Sequence, residues 1–104
     1  MQTHKKKRIE LVVEGPVLNR TLDLLDRAGV GGYTVLPALA GRGRRGKWTS
    51  QGFLGEIGRM VMITSIVDES RIGPLLREIN DLIVEKHIGI VSVLDAEVIR
   101  ADRF

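Results

Sequence analysis

The chain has 104 residues, 43% of them hydrophobic and 28% charged. That size fits one domain over residues 1–104 with a real core. The absence of cysteine excludes a disulfide framework, thiolate chemistry and a cysteine-based metal site, and the net charge of +3 is local rather than spread as a nucleic-acid footprint would be.

Lys5, Lys6, Lys7 and Arg8 open the chain and read, with His4, as a solvated basic tail over residues 1–7. Ile9, Leu11 and Val13 then alternate with Glu10, Val12 and Glu14, a strand pattern. This segment is too short and too charged for a signal-peptide core. No apolar run approaches the ~20 residues that cross a bilayer, so a cytoplasmic protein is expected. Gly15-Pro16 ends the strand, and Pro16 suits a helix start. Leu18, Leu22 and Leu25 recur at helical spacing, with Asp23, Asp26 and Arg27 opposite. Ala28 to Gly32 stops that helix. Tyr33–Leu36 reads as a second strand broken by Pro37.

Residues 38–57 show no sustained period and read as a long mobile loop. Within it stands Gly41-Arg42-Gly43-Arg44-Arg45-Gly46-Lys47-Trp48. Glycines let a backbone aim successive N–H groups at an anion. Arginines between them add charge and forked donors that match phosphate. A long irregular connection in a small domain is usually functional. Trp48, with Phe53 and Leu54, reads either as core beneath a folded loop or as docking groups on it.

Arg59–Val67 is a third strand, apolar on both sides. Asp68-Glu69-Ser70 supplies oxygens and negative charge for a helix start, although Pro74 leaves its first turn open. Ile72, Leu75, Leu76, Ile79, Leu82 and Ile83 trace the apolar stripe of that helix. His87-Ile88-Gly89 ends it, and Ile90–Ile99 is a fourth strand. The order β-α-β, loop, β-α-β predicts an α+β ferredoxin-like sandwich, a four-stranded antiparallel sheet with both helices on one face. The other face would be bare and apolar, which predicts self-association.

Gly29-Val30-Gly31-Gly32-Tyr33-Thr34-Val35, the glycine–arginine loop, the acid-capped helix and Ala96-Glu97-Val98-Ile99-Arg100 together resemble the PII signal-transduction superfamily, in order and over nearly the whole length. The resemblance implies a homotrimer with its sheets packed inward. It also implies adenine nucleotide in clefts between subunits and a mobile loop that signals to a partner. Carried over residue by residue, Gly41, Gly43, Arg44 and Arg45 match the loop base that wraps the phosphates. Thr34 matches a threonine facing adenine, and Arg100 a terminal-strand arginine that reaches phosphate. Arg103 lies one position from a second such arginine. Lys86-His87-Ile88-Gly89 occupies the turn that supplies phosphate contacts, which makes His87, Ile88 and Gly89 candidates too.

Nitrogen-regulatory members carry Gly-Asp-Gly-Lys at that turn and a glutamine where Arg45 stands. They also bear a modifiable tyrosine at the loop tip, whereas Tyr33 lies in a strand. Gly32-Tyr33-Thr34-Val35, Gly89-Ile90 and Ala96-Glu97-Val98 are more similar to the PII-like branch tied to inorganic carbon, the bicarbonate-transporter regulators and carboxysome-associated forms. That resemblance implies ADP or AMP in preference to ATP, with bicarbonate as a co-ligand on Arg42, Gly43 and Arg44. It implies a target such as a bicarbonate transporter or a carboxysome component, and a cytoplasmic or carboxysome-associated place.

Other readings are plainer. His87 suits a helix C-terminus, where a protonated imidazole favours the dipole. Two separated histidines without an acidic cluster make a poor metal site. Met60 and Met62 follow strand period and read as core or interface. Asp95 and Glu97 share one strand face, where a salt bridge with an arginine is the simplest role. No nucleophile, Walker A sequence or catalytic triad stands out, so no enzyme, metal or prosthetic group is expected. The alternative function is a nucleic-acid-binding ferredoxin-like module that uses the basic loop, with Tyr33 the only strand aromatic to stack a base.

Overall fold

A computed structural model of the chain describes residues 1–44, 46–49, 60–86 and 89–100. Strand β1 runs His4–Glu14, followed by a short 3-10 turn Gly15–Val17 and helix α1 Leu18–Arg27. Next come β2 Thr34–Ala38, β3 Ala40–Gly43, β4 Gly46–Thr49, β5 Met60–Val67, helix α2 Glu69–Lys86 and β6 Ile90–Val98. Strands β2, β5, β1 and β6 form one sheet in that order, with every neighbouring pair antiparallel. This is the expected α+β ferredoxin-like arrangement.

The strand period sets the two faces. Ile9, Leu11 and Val13 of β1 and Ile63 and Val67 of β5 are buried with Leu24 and Leu25 of α1 and Leu75 and Ile79 of α2. One sheet face therefore packs against both helices. Burying each such side chain contributes about 1.5–3 kcal/mol before the entropy of ordering it is subtracted. Two polar groups enter this core with partners. The Thr21 hydroxyl donates to the Val17 carbonyl at 2.8 Å, and the Ser65 hydroxyl to the Gly32 carbonyl at 2.6 Å.

The opposite face follows from the register. Leu36 lies across from Met62, Met62 from Val12, and Val12 from Ile90. Arg8, Glu10, Thr64, Ile66 and Leu94 share that side by alternation. Leu36, Leu94 and Ile90 are 49%, 44% and 69% exposed there. An apolar row of this extent, uncovered in one copy, is the kind of surface that associates.

The structure corrects three expectations. Residues 4–7, expected in a solvated tail, are the first residues of β1: Lys5, Lys6 and Lys7 pair with Glu97, Ala96 and Asp95 of β6. They lack apolar alternation, so only the cross-strand acids reveal the strand. Strand β2 continues through Pro37 instead of breaking there, with Pro37 opposite Val61. It is an edge strand, where a missing N–H costs no ladder bond on the open side. Helix α2, by contrast, starts at Glu69 as the acidic cap predicts, and holds Pro74 inside it. Finally, residues 40–49, read as part of an aperiodic loop, form a two-stranded antiparallel hairpin of β3 and β4.

Candidate functional site

The hairpin carries the glycine–arginine motif. Its cross-strand pairs are Ala40 with Thr49, Gly41 with Trp48, Arg42 with Lys47, and Gly43 with Gly46. Arg44 lies in the turn between the strands, and Gly46 takes φ +104°, a left-handed value that glycine accepts cheaply. Alternation puts Arg42 and Lys47 on one side of the ribbon and Gly41, Gly43, Gly46 and Trp48 on the other. Arg42, Arg44 and Lys47 are exposed. Residues 40–49 contain no carboxylate, so the hairpin presents positive charge alone. Like charges facing each other weaken a strand pair, and an anion held between them reverses that sign.

Trp48 is half-buried within the hairpin. Its indole covers Gly41: a Cβ on residue 41 would stand 2.3 Å from Cζ2 of Trp48. Phe53 and Leu54 fall outside the described residues.

Gly89 sits between α2 and β6 with φ +108°. A Cβ there would lie 3.0 Å from the Val12 carbonyl oxygen and 3.1 Å from Cγ1 of Val13. Its glycine identity thus follows from the close passage of the chain beneath the first residues of β6. Thr34 opens β2, exposed, opposite Thr64. The bond from Ser65 to Gly32 fixes the backbone just before it. Arg100 is exposed just past the end of β6. Arg45, His87, Ile88 and Arg103 fall outside the described residues.

The register shows how far apart these groups are rooted. The hairpin leaves β2 beyond Ala38, whose row runs through Met60 to Glu14 at the far end of β1. Gly89 precedes Ile90, which pairs with Val12 near that same end. Arg100 follows Val98, which pairs with His4 at the opposite end. At about 3.4 Å per residue the two ends are roughly 30 Å apart. Strands β2 and β6 are also opposite edges, three strand spacings or about 14 Å across. One copy therefore roots the hairpin and Gly89 at one end and Arg100 at the other.

A second charged cluster lies at the Arg100 end. A groove of about 550 Å³ is lined by Lys5, Lys6, Lys7, Glu69, Asp95, Ala96 and Glu97. Lys7 reaches Asp95 at 2.5 Å and Glu69 at 3.8 Å, and Lys6 pairs with Asp68. The hydrogen bond from Lys7, then its charge, holds the Asp95 carboxyl below its ordinary value, and the same bond raises Lys7. Asp95 does make a salt bridge, but with a lysine of β1 instead of the expected arginine. Partial desolvation, followed by the carboxylates of Asp26 and Asp23, raises the Tyr33 phenol. Among the described residues no three acidic or histidine side chains cluster as a metal site, and no helix is long and apolar enough to cross a membrane.

Residues 6–103 match the model of the family described as Nitrogen regulatory protein P-II. The chain belongs to the P-II family. Among solved structures it is similar to CPII, a nitrogen regulatory PII-like protein from Thiomonas intermedia, in a complex with ADP, AMP and bicarbonate. The two share 36% identity over 99% of this chain and 96% of that one, with a TM-score of 0.88. A complex of the same protein with ADP and bicarbonate matches at 35% identity over 99% and 97% of the two chains, with a TM-score of 0.84. A PII-like signaling protein from Thermus thermophilus shares the fold at 23% identity over 100% and 99% of the chains, with a TM-score of 0.81. No curated protein matches the chain.

Proposed function

We propose that this chain is a PII-like regulator that binds ADP or AMP, with bicarbonate as a second ligand. The observation that carries the reading is the 36% identity, over nearly the full length, to a protein whose structure holds ADP, AMP and bicarbonate together. The hairpin supports it with three exposed cations among its described residues, two of them directly opposed, and no carboxylate of its own.

In this reading the ligand sits between subunits of a homotrimer. Arg42, Arg44 and Arg45 neutralise its phosphates or the bicarbonate, aided by the N–H groups of Gly41 and Gly43. Thr34 meets the adenine. Gly89 lies at the same end of the sheet, and His87 and Ile88 are assigned phosphate contacts from the resemblance. Arg100 comes from a neighbouring copy, because one chain roots it at the other end, and Arg103 is assigned a phosphate contact from the resemblance alone. Binding orders the loop and presents it to a target in inorganic-carbon metabolism, such as a bicarbonate transporter or a carboxysome component. The ligand shifts the loop only by its preference for one form over the other. The chain does no chemistry of its own in this role and works in the cytoplasm or beside a carboxysome.

The nucleic-acid reading is not favoured. Among the described residues the open sheet face carries methionine, valine, isoleucine and leucine where base-stacking aromatics would be needed, and its Arg8 is paired with Glu10. Titration calorimetry with ADP and with AMP, each with and without bicarbonate, tests the proposal. Saturable binding that falls at least about tenfold in Arg44→Ala and in Arg100→Ala is expected. No heat for either nucleotide at about millimolar concentration would remove it.

A further inference from the structure

The hairpin of β3 and β4 forms a sheet of its own, separate from the four-stranded one. A lone two-stranded hairpin is marginal in water, and cross-strand side-chain pairs supply most of its stability. Three of the four pairs here supply little. Gly43 with Gly46 brings no side chain, Ala40 with Thr49 brings small ones, and Arg42 with Lys47 repels. The remaining pair is Gly41 with Trp48. The indole lies where any larger residue at position 41 would put its Cβ, 2.3, 2.8 and 2.9 Å from three ring atoms. Trp48 is half-buried although both strand neighbours, Lys47 and Thr49, are exposed. An aromatic ring covering a cross-strand glycine restores the contact that the glycine lacks.

We infer that Trp48 is a positioning residue. By packing on Gly41 it clasps the hairpin shut and holds Arg42, Arg44 and the glycine N–H groups in the form that receives the anion. The motif thus uses Gly41 to admit the indole, in addition to any backbone contact with a ligand. This rests on the nucleotide-binding reading, and the test separates the two.

Trp48 is the single tryptophan of the chain, so emission and iodide quenching report the hairpin directly. Wild type, Trp48→Ala, Trp48→Phe, Gly41→Ala and the Gly41→Ala/Trp48→Ala pair are titrated with ADP in the presence of bicarbonate. Trp48→Ala is expected to weaken ADP about tenfold, and Trp48→Phe to restore most of that loss. Gly41→Ala is expected to weaken ADP similarly and to expose Trp48 to iodide. In the Trp48→Ala background the same change is expected to add less than about twofold, since the two residues act through one contact. Unchanged melting of all variants keeps the effect within the hairpin. Losses that simply multiply in the double variant, or iodide quenching unaltered by Gly41→Ala, overturn the clasp while wild-type binding stands. Failure of the wild type to bind ADP overturns the functional reading instead, and the ligand role of the clasp with it.

Discussion

Gly89 shows how one position can be fixed by backbone geometry before any ligand is considered. Its φ of +108° strains any residue with a Cβ, and the 3.0 Å approach to the Val12 carbonyl would crowd that Cβ. Gly89→Ala is expected to destabilise the protein by about 2 kcal/mol or more, read as a lower midpoint in urea with the slope unchanged. Lys7 and Asp95 are a different case, exposed and held together by charge. Asp95 is depressed below 3.8, so its contribution is present above that pH and fades as pH falls through the lower, folded value. Lys7 is raised above 10.5, so its contribution is complete below that pH and fades as pH rises through the higher value. The coupling from a Lys7→Ala/Asp95→Ala double-mutant cycle is therefore expected to be flat between those limits and to vanish beyond either. It should also shrink in high salt, as exposed pairs do. A coupling that changed near neutral pH would point to a different partner for one of them.

Elements with apolar periodicity were legible in the chain; elements held by polar or glycine pairs were not. The stripes of α1 and α2 and the alternation of Ile9, Leu11 and Val13 give both helices and the inner part of β1. The outer part of β1 is Lys5, Lys6 and Lys7, whose strand character appears only against Glu97 and Asp95 in the opposite strand. The hairpin was hidden for a similar reason. Glycine and arginine carry little strand preference, and the pairing of Gly41 with Trp48 is a contact, not a pattern. Pro37 marks the limit of a local rule, since its meaning depends on whether β2 is central or at the edge. The residue types of the candidate site were readable, but their grouping required the register. At this scale the account predicts that Ile63→Ala, at a fully buried position facing both helices, costs about 2–5 kcal/mol. Arg42→Ala, on the exposed ribbon, should leave the melting temperature within error, measured by circular dichroism.

At the scale of the molecule, two features ask for a second copy. One is the uncovered row of Leu36, Met62, Val12 and Ile90, with Leu94 further along the same face. The other is the separation of the hairpin from Arg100 by the length and breadth of the sheet. Leu94→Glu places a further charge on that face, at a position already 44% exposed in one copy. It is expected to give a folded monomer by sedimentation, with nucleotide binding lost. The most direct measurement mixes two defective proteins. Arg44→Ala and Arg100→Ala subunits are unfolded together in equal amounts, refolded, and titrated with ADP. If each site takes its hairpin from one copy and Arg100 from the next, roughly a quarter of the sites in random mixtures carry both arginines and bind as wild type. If the mixture binds no better than its two parents refolded separately, the site is not shared between subunits and the account is contradicted.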